Sequence, residues 1–429
     1  MPLESPLAES LYQGVNTLEN FDIGIIGGGP AGYTAAFSAA KQGKKVVLFE
    51  KDFLGGVCLN RGCIPTKTIL HSSELYRQSL KSADFGVNIE NVSIDYNKVI
   101  ERKNVVIERL RKGLELAFKN LKIQVVNSEA KILSKNEIEA NGEIYNCGQI
   151  ICAVGSSPRV VKGLEFDHEF LLSSDDVLEL KKLPKGILII GSGAIGIEWA
   201  RIFNNFGVDT TVVELASNLL PLADIDVSKR VERIFKTEGI KFYTASTVDK
   251  IEDKKIFLSN GDVVEPEIVL VAVGRKPNET EKIEGVKYIG DAAGEIQLAH
   301  YAIKQAYEEI EKIPFRKDLT PSVVYGSPEI AWVGKREQDL APEEYKKSSV
   351  LVSSLGKAQC DGETEGFIKL LVQKDKIVGA HIVSSEASAL LEQILIAMQF
   401  GISAESLKEV CFPHPTYSEG IFESLFRMK

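Results

Sequence analysis

Cys58 and Cys63, separated by four residues, lie in Gly55-Gly56-Val57-Cys58-Leu59-Asn60-Arg61-Gly62-Cys63-Ile64-Pro65-Thr66-Lys67. On an ideal helix their Cα atoms would stand roughly 8–9 Å apart, beyond the ~7 Å that a disulfide spans. A bond between them therefore needs an irregular backbone, which Gly55, Gly56, Gly62 and Pro65 can supply. A small closable loop of this kind suits a bond made and broken during turnover. Spacing alone describes two buried, unpaired thiols equally well. Zinc is disfavoured, because no second cysteine pair or nearby histidine completes four ligands.

A second candidate is His414, clamped between Pro413 and Pro415, with Glu419 following on an expected helix start. A histidine held near a carboxylate can act as a base. The residues alone also fit a surface loop with a capping glutamate.

These groups need a scaffold, and the chain spells one out twice. An apolar strand, Phe21–Ile26, runs into Gly27-Gly28-Gly29-Pro30-Ala31-Gly32, a helix Tyr33–Gln42, and a strand Lys45–Phe49 ending at Glu50. This is the βαβ dinucleotide fingerprint in its required context. Gly27 makes the turn, Gly29 admits a pyrophosphate and Gly32 lets helix and strand pack. The helix N-terminus favours the phosphate charge, and Glu50 stands where a carboxylate can accept from ribose hydroxyls. The unit returns as Gly186–Ile190, Gly191-Ser192-Gly193-Ala194-Ile195-Gly196, a helix through Phe206 and a strand ending at Glu214. In both copies the acid falls 23 positions after the first glycine (50 − 27 and 214 − 191). Ala153-Val154-Gly155-Ser156-Ser157-Pro158 and Ala272-Val273-Gly274-Arg275-Lys276-Pro277 close the two copies alike. A whole dinucleotide-binding domain is thus duplicated. Two dinucleotides are implied, as in a flavoprotein that also binds nicotinamide.

The spacing predicts a packing helix over Tyr96–Leu121 and buried cysteines, Cys147 and Cys152, flanking a strand Gln149–Val154. Tyr288-Ile289-Gly290-Asp291 reads as a strand-to-helix turn bearing an acid. From about Arg316 no glycine fingerprint remains; strands (Ser322–Tyr325, Phe367–Gln373, Ile377–Val383) and a helix Ala387–Phe400 predict an α+β domain.

Composition sets the bounds. The 429 residues suit two or three domains. A net charge of −9 argues against nucleic acid or anionic membrane as a partner, and no apolar run approaches the ~20 residues of a membrane span. Residues 1–20 contain acids and no apolar segment. They read as a leader outside the fold, disordered or vector-derived, and not as a signal peptide. Six cysteines are too few for a secreted disulfide scaffold, which predicts a cytoplasmic, reducing location.

From Phe21 to Glu419 the chain resembles the pyridine nucleotide–disulfide oxidoreductases. The marks are Gly55–Lys67, Gly290-Asp291 and His414-Pro415-Thr416 with Glu419. Leu59-Asn60 and Cys63-Ile64-Pro65-Thr66-Lys67 look like the family's lipoamide branch. The resemblance implies an α/β fold with two Rossmann-like domains and a C-terminal α+β dimerisation domain. Residues 21–150 and 279–315 would bind FAD, 151–278 NAD, and 316–429 would form the interface.

It further implies Cys58 as the thiol that meets substrate and Cys63 as the thiol beside the flavin. A helix N-terminus following Pro65 would stabilise the Cys63 thiolate. Lys67 and Glu198 would form an ion pair near flavin and nicotinamide. His414, oriented by Glu419, would be the acid/base, lent across a homodimer. FAD would be held by Gly27, Gly29, Gly32, Glu50, Lys51, Gly56, Val57, Lys67, Ala130, Gly155, Asp291, Leu298, Ala299 and His300. NAD would be held by Gly191, Gly193, Gly196, Glu214 and Gly274, and no metal is implied. The implied activity is oxidation of dihydrolipoyl groups to the lipoyl disulfide with NAD⁺. Its partner would be a lipoyl-bearing protein, the acyltransferase subunit of a 2-oxoacid dehydrogenase complex or a glycine cleavage protein. Alternatives are a NAD(P)H-dependent reductase of another small disulfide and a non-catalytic flavin-binding protein. Two departures stand out. Gly290 follows Asn278 by only 12 positions (290 − 278), which unsettles the edge of the flavin domain, and Phe412 stands where many relatives carry histidine.

Overall fold

The computed structural model describes residues 20–428, so all of the expected leader except Asn20 lies outside the described residues. The chain divides into two compact units. One comprises residues 20–65, 104–157 and 275–315; the other comprises 66–103, 158–274 and 316–428.

In the first unit, Phe21–Ile26 is flanked in parallel by Val46–Glu50 and Glu143–Cys152. Gln124–Asn127 extends one edge in parallel, and Glu137–Ala140 and Ala130–Ile132 extend the other antiparallel. Helix α1 (Pro30–Lys41) opens without a side-chain cap and carries Pro30 in its first turn, where a missing N–H costs nothing. Its alanine-rich face, Ala35, Ala36 and Ala39, is fully buried with Ile25 and Leu48. The short stretch after Asn278 still completes the sheet, since Lys287–Tyr288 pairs in parallel with Glu143–Cys152. Cys147 and Cys152 lie within that long strand instead of flanking it, and both are buried. Burial pushes the Cys147 thiol up to about 12.

Helix α2 (Gly56–Arg61) ends at Gly62, whose φ of −142° and ψ of −108° are not helical. Helix α3 (Cys63–Leu80) starts at the next residue. The sequence placed this helix start after Pro65; the structure places it at Cys63, with Pro65 inside the first turn, where its missing N–H has no helical partner to lose. Helix α4 (Tyr96–Asn120) follows the expected span to within one residue.

The second unit repeats the plan. Gly186–Ile190 is central to an all-parallel sheet in the order Lys241–Tyr243, Asp209–Val213, Gly186–Ile190, Ile268–Val271, Leu171–Leu172. Helix α5 (Ala194–Asn205) packs Ile197, Trp199 and Phe203 into the core with Val212 and Leu270. The C-terminal sheet is antiparallel, ordered Ser322–Val324, Glu329–Gly334, Lys376–Ser384, Phe367–Gln373, Lys346–Leu351. The helix Ala387–Gln399 covers it through Leu390, Leu391 and Ile394. Among the described residues no helix is long and apolar enough to cross a membrane.

One buried charge cluster joins parts of this unit that are distant in sequence. Helix α6 (Ile225–Glu238) is capped by Asp224, which accepts from the Asp226 N–H at 3.0 Å. Lys369, 1% exposed and on a central strand of the C-terminal sheet, donates to Asp224 at 2.8 Å and Asp226 at 2.7 Å, and also pairs with Glu337. The three carboxylates converge within 4.8 Å of one another; the Lys369 ammonium bridges all three, and Lys347 adds a second cation at Glu337. Burial alone would raise the Glu337 carboxyl, but hydrogen bonds from Lys347, Lys369 and Tyr345 bring it from 4.5 down to about 2. Lys369→Met removes the ammonium that Asp224 and Asp226 share and leaves Glu337 only Lys347 and Tyr345. We expect it to destabilise the protein by about 3–5 kcal/mol, read from denaturation midpoints at pH 7. A carboxyl depressed in the folded state stabilises above its unfolded pKa, and that contribution is lost as pH falls. The deficit therefore shrinks between pH 4.5 and about 2, and an unchanged midpoint at pH 7 contradicts this account.

Candidate active site

Both fingerprint turns share the same backbone plan. The Gly27 N–H donates to Phe49 O and the Gly191 N–H to Val213 O, each at 2.8 Å. A Cβ on Gly32 would lie 1.8 Å from Gly27 O, and one on Gly196 2.0 Å from Gly191 O. Only glycine permits that approach of helix to strand. Gly29 and Gly193 are the extended, uncapped N-cap residues of α1 and α5. A Cβ at Gly193 would meet nothing within 4 Å. These uncapped helix ends leave first-turn N–H groups for an anion. Both sites thus fit the diphosphate of a dinucleotide.

The two acids bond to their own turns. Glu50 accepts from the Gly28 N–H at 2.8 Å and the Asp52 N–H at 2.9 Å. Glu214 accepts from the Ser192 N–H at 2.8 Å, the Ser192 hydroxyl at 2.7 Å and the Ala216 N–H at 2.8 Å. Of about four acceptor positions on a carboxylate, Glu214 keeps one. Each acid therefore tethers its own glycine turn, a role that spacing did not reveal.

The cysteine helix is seated on the first of these turns. The Gly55 N–H donates to Gly28 O at 2.8 Å, and a Cβ on Gly56 would stand 2.6 Å from the Gly29 Cα. Gly55 and Gly56 have φ of 101° and 58°, left-handed values that glycine adopts without penalty. Cys58 and Cys63 are both half-buried, with the Gly62 break between them. Val57 follows Gly56 on α2. The Asn60 side chain donates back to Gly56 O at 2.9 Å and accepts from Arg111 at 2.8 Å, fastening α2 to α4. Burial raises the Tyr33 phenol, and Cys58 and Cys63 add to the shift.

Elsewhere in this unit Lys51 pairs with Glu129, one residue before Ala130 on its strand. Asp291, in a single helical turn after Ile289, accepts from the Ser156 hydroxyl at 2.6 Å. The Asn278 N–H donates to Gly155 O at 3.0 Å. Leu298 is the N-cap of the helix Ala299–Glu311, with His300 in its first turn.

In the second unit Lys67 donates to both oxygens of Glu198, at 2.9 and 2.7 Å, and the Glu198 side chain is 5% exposed. Gly274 O accepts from the Arg159 N–H at 3.0 Å. His414 Nδ1 stands 2.8 Å from Glu419 Oε1, and the His414 side chain is 75% exposed. Glu419 opens the last helix, as expected. A hydrogen bond from the Thr416 N–H, then one from His414, hold its carboxyl below the usual range. Phe412 packs beside Phe422 on that helix.

Comparison with known proteins agrees with this geometry. The family described as pyridine nucleotide-disulphide oxidoreductase matches residues 21–297, and its dimerisation domain matches 320–425. The chain is 33% identical to a dihydrolipoyl dehydrogenase of Bacillus subtilis, covering 94% of this chain and 97% of that one. It is also 33% identical to a leghemoglobin reductase of Vigna unguiculata, covering 94% and 86%. In fold it is similar to the crystal structure of LpdA from Mycobacterium tuberculosis, with TM-score 0.87, 22% identity and coverage of 94% and 99%. The HOCl-induced flavoprotein disulfide reductase RclA of Escherichia coli gives TM-score 0.84 at 23% identity, covering 95% and 100%. The chain belongs to the pyridine nucleotide–disulphide oxidoreductases: it is an NAD-dependent flavoprotein enzyme with FAD and NAD as cofactors, and it carries the family's dimerisation domain.

Proposed function

We propose that this enzyme oxidises dihydrolipoyl groups to the lipoyl disulfide, with NAD⁺ as the acceptor, through a Cys58–Cys63 disulfide. The observation that carries the reading is a near full-length match to relatives named dihydrolipoyl dehydrogenase, on a chain with both cysteines and a His414–Glu419 pair at 2.8 Å. The leghemoglobin reductase at equal identity supports reduction of another substrate as a second reading. We assign FAD to residues 21–150 and 279–315, NAD to 151–278 and dimerisation to 316–429. A cytoplasmic location and a lipoyl-bearing protein as partner go with this reading.

The residues divide the work. With Nδ1–H donating to Glu419, His414 keeps Nε2 free to take a proton from a substrate thiol. The thiolate attacks Cys58 Sγ, the Cys58–Cys63 bond breaks, and Cys63 leaves as a thiolate at the N-terminus of α3, where first-turn N–H groups favour negative charge. As the second substrate thiol displaces Cys58, His414 passes its proton to the departing Cys58 sulfur and takes the proton of that second thiol in turn. The substrate leaves as a disulfide and the enzyme holds the two electrons as a Cys58 thiol and a Cys63 thiolate, with the second proton on His414. Bound FAD supplies the two-electron relay to NAD⁺. Asp291 and the uncapped end of α1 would hold FAD, and α5 with Glu214 would hold NAD. Lys67 and Glu198 would flank the flavin.

The direct test is a panel of dithiols and disulfides with NAD⁺ or NADH. We expect dihydrolipoamide with NAD⁺ to give the highest kcat/KM, and a small disulfide exceeding it would transfer the assignment to the second reading.

Nicotinamide choice follows from Glu214, since Leu215-Ala216-Ser217-Asn218 after it offers no cation. A carboxylate there repels a 2′-phosphate. NAD⁺ should be favoured over NADP⁺ by at least about tenfold in kcat/KM, ~1.4 kcal/mol, and equal values contradict this.

The 75% exposure of His414 in a single chain supports its being lent to a partner copy. Cys58→Ser and His414→Ala chains, unfolded and refolded together, then form dimers of which about half are mixed, and each mixed dimer regains one intact site. About a quarter of wild-type activity should return by that two-fold argument. No gain over the separate proteins, with mixed dimers verified, shows that each histidine serves its own chain.

A further inference from the structure

On helix α5, Glu198 and Arg201 stand three positions apart and so share one face. Both side chains are 5% exposed, and both hold the same distant segment. Glu198 accepts the Tyr325 N–H at 3.1 Å. Arg201 donates to Ser327 O and Pro328 O, each at 2.6 Å. Arg77, on the same helix as Lys67, donates to the Ser327 hydroxyl at 2.7 Å. A Cβ on Gly326 would meet the Arg201 guanidinium at 2.7 Å, so the segment lies directly on that side chain. Tyr325 is thereby fixed at its backbone by the carboxylate that binds Lys67. Its ring lies against the same lysine, with the Lys67 Nζ 4.7 Å from the ring centroid. That is within cation–π range.

We propose that Tyr325 is a positioning residue for the reaction: its ring confines the Lys67 ammonium against Glu198, where the charge acts on the flavin. The proposal rests on the reading that the Lys67–Glu198 pair flanks the flavin. A lysine side chain has large rotamer freedom, and one carboxylate leaves an ammonium hydrogen-bonded but free to pivot. The ring face closes off part of that motion. The phenolic hydroxyl has no part in this, so phenylalanine should serve and an aliphatic residue should not.

The test uses the FAD-loaded protein with Tyr325→Phe, Tyr325→Leu and Tyr325→Met, methionine guarding against poor folding of the leucine variant, and with Lys67→Met as reference. Two quantities are read: acylation of Lys67 by an amine-reactive reagent, mapped by mass spectrometry, and the two-electron midpoint potential of the bound flavin. We expect Lys67 acylation to rise about two- to fivefold in the aliphatic variants, the size of a cation–π attraction, with Phe matching wild type. The potential should move in the same direction as in Lys67→Met, by about two- to fivefold in the equilibrium constant, ~10–20 mV for a two-electron couple. A merely structural role would lower thermal stability and leave both readings in place, which overturns the proposal. Raised acylation with an unmoved potential, while Lys67→Met shifts it, also overturns it and spares the flavin-flanking reading. An unmoved potential in Lys67→Met removes that reading, and the proposal with it.

Discussion

Backbone touching backbone is the constraint on which the chemistry depends. The Gly28-Gly29 turn and the Gly55-Gly56 turn meet with no side chain between them, joined by the hydrogen bond from Gly55 N–H to Gly28 O. Any side chain at Gly56 would drive the cysteine helix off the glycine turn that opens α1. A Cβ there has only 2.6 Å to the Gly29 Cα, and such contact forces the backbone apart. The same glycines set the direction of α2. The break at Gly62 then starts α3 at Cys63 and gives that residue the positive end of an 18-residue helix. Glycine turn and thiols are thus one piece of local architecture.

The second half reuses the turn for a different end. Its carboxylate, Glu214, is more deeply buried and more fully hydrogen-bonded than Glu50, and α5 bears Glu198 and Arg201 on one face. The repeated turn also opens a helix from which buried charges hold Lys67 and the Tyr325–Pro328 segment. Lys369 does comparable work at the other end of this unit, fixing the cap of α6 to the C-terminal sheet. A buried charge of this kind is tolerated because every partner is ionic or hydrogen-bonded.

What the sequence disclosed follows the range of the forces involved. Glycine turns and apolar runs are local, so Phe21–Ile26, Gly186–Ile190 and Phe367–Gln373 were legible residue for residue. The start of α3 was misplaced because Pro65 reads as a boundary, although a helix tolerates proline anywhere in its first turn. Cys147 was put at a strand edge because the strand continues through polar Asn146 and Gly148, held by pairing that composition does not show. Pairs such as Lys67–Glu198 and His414–Glu419 were reached through resemblance, and the second also through proximity along the chain. Glu214 bound to Ser192 and Tyr325 over Lys67 stayed hidden, since each depends on how segments far apart in sequence fold together. Lys369 and Asp224, 145 residues apart, are the extreme case.

The central claim is that a reduced lipoyl group delivers two electrons through Cys58 and Cys63 to FAD and then NAD⁺. Anaerobic titration of the FAD-loaded protein with dihydrolipoamide, followed in the visible spectrum, tests it most directly. The account predicts that the wild-type flavin absorbance is lost on addition of the dithiol and returns on addition of NAD⁺. It predicts that Cys63→Ser, with its flavin still bound, shows neither change. A flavin that dihydrolipoamide leaves oxidised in the wild type, while NADH reduces it, would contradict the account.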